Sequence, residues 1–156
     1  MKFKKLLLAG LAMMTLLPSL AFGAPTLEAL LQQGKIEAVK VESGIYKIPV
    51  EMDGETVMVF AEETQLGSSD VRVVNLYAMV LELPDNYRMP EPVLEKMTDL
   101  NNRLTFGKVY RDGNYVFYKS SFLLRATDVD SLALELVIAH VQRQKLKKEL
   151  QPFVAQ

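Results

Sequence analysis

His140 is the single histidine of a 156-residue chain that contains no cysteine. An imidazole can act as a general base, as the middle member of a nucleophilic triad or as a zinc ligand, and each role needs partners at fixed distances. The flanking Ala139 and Val141 supply none, so a histidine at the rim of the core is expected. Glu62, Glu63 and Asp70 surround Gly67-Ser68-Ser69. Paired carboxylates can serve a glycosidase or a cation, but a loop fixes no separation between them, and the calcium-loop spacing is absent. The stretch from Glu62 to Asp70 is expected to be a solvated loop, and it lacks the lysine and following helix of a phosphate cradle. Lys108, Tyr110, Arg111, Tyr115, Phe117 and Tyr118 gather basic and aromatic groups on one hairpin, a set that can stack on planar ligands. Alternation places Tyr115 and Phe117 on one face, and Val116 and Tyr118 on the other, so one face should be core. Lys108, Tyr110, Tyr115 and Tyr118 are the candidate binding hairpin. No catalytic residue, metal ligand set or cofactor site stands out, and a non-enzymatic protein is expected.

The N-terminus has the pattern of a bacterial export signal. Lys2, Lys4 and Lys5 precede an apolar run from Leu6 to Leu17, which Pro18 breaks. That run has the length of a signal-peptide apolar region and is too short to cross a bilayer. Small residues fit a cleavage site at Ser19-Leu20-Ala21 or Ala21-Phe22-Gly23; a cut after Gly23 is preferred, because a cut after Ala24 leaves Pro25 first. The expected division is a cleaved signal over 1–23 and one domain over 24–156, in the periplasm or secreted. Without a cysteine, that domain must hold together by packing, with neither disulfides nor thiolate metal sites. Removing the three signal lysines from 18 basic residues leaves 15 against 19 acids, a net charge of about −4. That sign argues against nucleic-acid binding. No second apolar run approaches the roughly 18 residues of a membrane span, so none is expected in the mature chain.

Several elements must position these groups. Leu27, Leu30 and Leu31 make one face of a short helix opened by Pro25 or Thr26 and ended by Gly34. From Ile36 the period changes to two. Ile45 to Glu51 pairs with Glu55 to Ala61 across Asp53-Gly54, with Pro49 implying an edge or an outward-facing backbone there. Val71 to Leu83 reads as a long strand. Pro90 and Pro92 open a helix striped by Val93, Leu94, Met97, Leu100 and Leu104. Gly107 lets the chain leave that helix, with Phe106 expected to pack back under its end. Lys108 to Arg111 and Tyr115 to Leu124 form a hairpin through Asp112-Gly113. The last helix starts at Thr127 or Asp128. Val129, Leu132, Ala133, Leu136, Val137 and His140 share one face, and the helix turns polar from Gln142. The expected fold is α+β: an antiparallel sheet of about five strands packed against helices in the order α-β-β-β-α-β-β-α, with the first β region open to division into two strands.

The last helix carries a second apolar row, Leu134, Ile138 and Val141. One helix on one sheet face needs only one buried stripe. The extra row is covered either by another element of the chain or by a second copy or partner, and these three residues are the candidate assembly surface.

The stretch Asn101-Asn102-Arg103-Leu104-Thr105-Phe106-Gly107-Lys108, followed by a strand, a polar turn and an aromatic strand, resembles the YbjN family of bacterial proteins. The resemblance spans roughly Leu27 to Leu150, and its specific part is Leu100 to Tyr118, chiefly Asn101, Leu104, Phe106 and Gly107. It implies the fold of type III secretion chaperones, dimerisation, and a protein-binding or regulatory role without catalysis or cofactor. Family members are labelled sensory-transduction regulators. Secretion chaperones work in the cytosol on unfolded effectors, whereas this chain carries an export signal, so an effector-chaperone role does not follow.

The expectation is an exported homodimer that captures a protein segment along the sheet edge or in a groove beside the last helix. Two alternatives stand beside it. One is a small-molecule binder or hydrolase with Glu62, Glu63, Tyr115 and Tyr118 at a cavity mouth. The other is an envelope inhibitor acting through the loop from Glu62 to Asp70.

Overall fold

The computed structural model describes residues 25–42 and 44–154. The export signal expected over 1–23 lies outside the described residues. The chain runs α1 (Leu27–Gln33), β1 (Val39–Glu42), β2 (Ile45–Met52), β3 (Glu55–Gln65), β4 (Arg72–Glu82), α2 (Glu91–Arg103), β5 (Lys108–Asp112), β6 (Tyr115–Leu123) and α3 (Val129–Val154), with a 3₁₀ turn at Leu124–Ala126 before α3. All strands join one antiparallel sheet in the order β1-β2-β3-β4-β6-β5. The fold is α+β as expected, with six strands instead of about five, because the first β region divides at a turn into β1 and β2.

Local chemistry accounts for most boundaries. The Thr26 hydroxyl accepts from the Ala29 N–H and caps α1. Asp53 and Gly54 both have positive φ, the pattern of a type I′ turn, which fixes the β2–β3 register. Met52 and Glu55 close that two-residue turn, so Val50 and Ile48 direct their backbone groups to β3 and Pro49 directs its own away. β1 pairs only with Ile45, Tyr46 and Lys47, so the missing Pro49 N–H removes no ladder bond. Pro90 and Pro92 stand at the start of α2, where missing N–H groups are harmless. The Asp128 carboxylate accepts from the Ser131 N–H at the start of α3.

The expected loop from Glu62 to Asp70 is strand as far as Gln65. Glu62, Glu63 and Thr64 pair with Asn75, Val74 and Val73 on β4. Their side chains are engaged too: Tyr77 donates to Glu62, Arg72 to Glu63 and Asn75 to Thr64. These bonds outweigh the weak strand preference of glutamate.

α3 lies across the sheet and contacts β2, β3, β4, β6 and both other helices. Its buried residues are Leu132, Leu136, Ala139, His140, Leu146 and Leu150. The polar-looking half beyond Gln142 is therefore docked. Leu146 and Leu150 enter the core, each contributing about 1.5–3 kcal/mol of apolar burial. Glu149 receives Lys96 and Arg103 of α2 at 2.9 Å. Ala133 and Val137, expected on the core face, are exposed, as is Leu94 of α2. His140 is not at the rim: it is fully buried, and neither ring nitrogen has a hydrogen-bond partner among the described residues. No helix among the described residues is long and apolar enough to cross a membrane.

Candidate binding surface

Alternation divides every strand between two faces. Tyr46, Ile48, Val57, Val59, Ala61, Val74, Leu76, Ala78, Val116 and Tyr118 point at the helices and are buried. The other face is covered by no helix among the described residues. It presents Met58, Phe60, Tyr77, Met79, Tyr115, Phe117 and Tyr110, all exposed or half-buried. Cross-strand pairing brings them together: Phe60 opposite Tyr77, Met79 opposite Phe117, and Phe117 opposite Tyr110. The Tyr110 and Phe117 rings stack at 6.0 Å between centroids, and Tyr115 tilts against Phe117 at 6.1 Å. Lys119 lies 5.0 Å over the Tyr77 ring and Lys108 5.6 Å over the Tyr110 ring. These contacts hold the rings as a platform.

The β3–β4 ladder ends at Val59 and Ala78, so Glu55 to Met58 and Met79 to Glu82 have no ladder partner in one another. A bulge between Met79 and Leu81 accompanies the parting of the strands. The opening is a groove of about 580 Å³ walled by Met58, Phe60, Met79, Tyr115 and Phe117. Arg143 reaches it from α3. Its Nε donates to the Met79 carbonyl, released from the ladder, and its Nη1 donates to Glu55. The Gln144 amide, then Arg143, hold the Glu55 carboxyl below the ordinary carboxylate range. Burial, then the bond to Glu62, raise the Tyr77 phenol, and burial raises that of Tyr110. Both tyrosines stay protonated at neutral pH and serve as stacking and hydrogen-bonding groups.

The candidate residues from the sequence fall in several places. Lys108, Tyr110 and Tyr115 belong to this platform. Tyr118 does not: it is fully buried beneath the helices, and its hydroxyl donates to the Phe106 carbonyl. Glu62 and Glu63 lie on opposite faces, as do Tyr115 and Tyr118, so these four do not form one cavity mouth. Asp70 and Gly67-Ser68-Ser69 are in the β3–β4 connection. Leu134 and Val141 are exposed on the outer side of α3, with Ile138 half-buried between them.

The stretch at the end of α2 forms a joint. The Asn101 amide donates to the Val109 carbonyl at 2.9 Å and accepts the Val109 N–H at 2.7 Å, pairing with the outer edge of β5 as a strand would. Gly107 has φ +76°, and a Cβ there would meet the Lys119 carbonyl at 2.5 Å and the Tyr118 ring at 2.7 Å. Leu104 packs partly buried against the core. Phe106 does not pack under the helix end: its side chain is 67 % exposed, because the turn into Gly107 carries it outward.

Met58, Phe60, Tyr77, Met79, Lys47 and Arg143 were missed as site residues. Period-two alternation opposite the buried positions of β3 and β4 was the available signal for the first four. Arg143 gave none, because its use depends on the β4 bulge. No protein-family model matches the chain, and no curated protein matches it.

Proposed function

We propose that this chain is an exported, non-catalytic binding module of the YbjN type, which holds a segment of another protein against the uncovered face of its sheet and pairs with a second copy through α3. The observation that carries the reading is the contiguous platform of Met58, Phe60, Tyr77, Met79, Tyr110 and Phe117. Aromatic rings offer area at low entropic cost, and methionines adapt to the side chains they meet, a combination suited to a protein segment. A partner in the periplasm or beyond is supported by the basic start and the apolar run from Leu6 to Leu17.

Self-association is supported by the outer stripe of α3. Leu134, Val137 and Val141 are exposed, with Leu134 at 59 %. Asp130 stands on the same stripe at its N-terminal end, and Lys145 and Lys148 at the other. Two copies packed antiparallel would place Leu134 against Val141 and Asp130 against Lys145, closing a two-fold interface. Changing Ile138 to Glu is expected to convert dimer to monomer in light scattering with far-UV circular dichroism unchanged. A monomeric parent refutes the dimer, and unfolding of the variant shows that the half-buried Ile138 serves the core.

The binding reading is tested by crosslinking a tagged mature protein in the native periplasm, with Met58→Asp as the control. One stoichiometric partner, lost in a folded Met58→Asp variant, is the expected result. A second reading rests on the 580 Å³ groove floored by Arg143: a small ligand that fills it. Absence of a protein partner, together with a ligand that raises Tm in a thermal-shift screen and fails to do so for Met58→Asp, would transfer the function to that reading.

A further inference from the structure

The platform carries an ordered charge pattern. Residues paired across a sheet lie in rows perpendicular to the strands. One row runs Lys47, Phe60, Tyr77, Lys119, Lys108 from β2 to β5. Two residues further along the strands is an apolar row: Pro49 and Met58, then Met79, Phe117 and Tyr110 across the groove. The next row carries Glu51 on β2, Glu82 on β4 and Asp112 on β5, with Thr56 and Tyr115 between them. Both outer strands of this trough therefore read basic, apolar, acidic in the same direction: Lys47, Pro49, Glu51 on β2 and Lys108, Tyr110, Asp112 on β5. None of Lys47, Lys108, Lys119, Glu51, Glu82 or Asp112 forms an ion pair among the described residues. Glu62 lies beyond the lysine row and is engaged by the Tyr77 hydroxyl.

We infer that the trough between the lysine row and the acid row receives one amphipathic α-helix of the partner, laid across the strands, with acidic residues along one flank and basic residues along the other. This inference rests on the binding reading above and specifies its occupant. The two charged rows are four residues apart along a strand, about 13 Å, which matches a helix about 10–12 Å wide with its side chains. Five paired strands would span about 19 Å, and the parting of β3 from β4 widens the trough further, so it takes at least about thirteen helical residues. An extended segment fits less well. On a sheet face it finds no backbone partners, whereas a helix satisfies its own peptide groups. Opposite charges on the two flanks of the helix would meet the two rows in one docking direction, and reversing the helix would set like charges against each other.

Three synthetic helical peptides of about fourteen residues test the inference. They share one apolar face and differ only in their flanks: one acidic and one basic, both acidic, or both basic. Binding to the full mature protein is measured by fluorescence anisotropy. The mixed-flank peptide is expected to bind about tenfold tighter than either other, with the gap narrowing at about 0.5 M salt. Its binding should be lost in Met58→Asp. In a folded variant combining Lys47→Glu, Lys108→Glu and Lys119→Glu, the preference should move to the all-basic peptide. Equal affinity for all three peptides, lost in Met58→Asp, overturns the charge-matched helix while leaving a protein-binding face. No binding to the folded protein overturns the inference and removes the main support for the binding reading. Concentration-dependent self-association abolished by Met58→Asp also overturns it, by assigning the trough to a second copy.

Discussion

The two bonds between Asn101 and Val109 allow a sharp test of how the exposed edge of β5 is closed. Each bond contributes about 0.5–1.5 kcal/mol net, and water can reach the edge once the amide is gone. Asn101→Ala should therefore cost about 1–2 kcal/mol, which is a fall in Tm of roughly 3–8 °C for a domain of this size. Asn101→Asp keeps the shape and the acceptor for the Val109 N–H. It replaces the donor with an oxygen facing the Val109 carbonyl, a contact now 2.9 Å long. At pH 7 it should fall below the alanine variant by about a further 1 kcal/mol. Part of that cost comes from placing a negative charge near the C-terminus of α2. Asn102→Asp measures this part alone, since Asn102 lies in the same turn and makes no side-chain hydrogen bond among the described residues. Acidification to below about pH 4 restores a donor to the aspartic acid, so the gap between Asp and Ala should close there. Urea unfolding followed by circular dichroism gives each value, with an unchanged m showing that only stability has moved. An Asn101→Asp variant as stable as Asn101→Ala at pH 7, after the Asn102→Asp correction, would refute the pairing.

His140→Leu should raise stability by about 1–3 kcal/mol, because it removes two buried, unbonded ring nitrogens at similar volume; an unchanged or lowered urea midpoint would show that the ring has a buried partner. Gly107→Ala should cost at least about 2 kcal/mol, because positive φ and the close approach of the Lys119 carbonyl act together, whereas Gly113→Ala, at positive φ in open space, should cost about 1 kcal/mol. The hydrogen bond from Lys96, then that from Arg103, hold the Glu149 carboxyl below its usual 4.5. Its contribution is present above that value and is lost as pH falls through the lower folded value, so Glu149→Gln should flatten the acid side of a stability profile below about pH 4.5. Burial raises the Glu135 carboxyl, which reverses the sign: its contribution is present at low pH and lost as pH rises through the raised value. Glu135→Gln should therefore stabilise the protein at pH 7 in chemical unfolding, and a fall there would contradict the burial effect.

Much of the fold was legible because its signals are local. Asp53-Gly54 specified a tight hairpin, Pro90 and Pro92 a helix start, and Leu132 and Leu136 a buried stripe. The errors arose where a partner distant in sequence decided the outcome. Glu62 to Thr64 look like loop residues until Val73, Val74 and Asn75 pair with them. Leu146 and Leu150 look like part of a polar tail until α2 packs beside them. Phe106 is the exception, since the cause is local: the adjacent turn into Gly107 points it outward.

The binding face was only half legible. Alternation alone separated Tyr115 and Phe117 from Val116 and Tyr118, since a strand turns each successive side chain to the other face whatever surrounds it. Which residues stand beside them depended on register. Phe60, Tyr77, Lys119 and Lys108 become neighbours only when β3, β4, β6 and β5 are aligned, and a slip of one residue would break the row. The sequence by itself determined the helices, the turns and the alternation, because these follow from backbone preferences and spacing within a few residues. Tertiary structure alone decided the rows, the groove and the place of Arg143, because these are set by contacts between segments distant in sequence, whose alignment local preferences cannot encode.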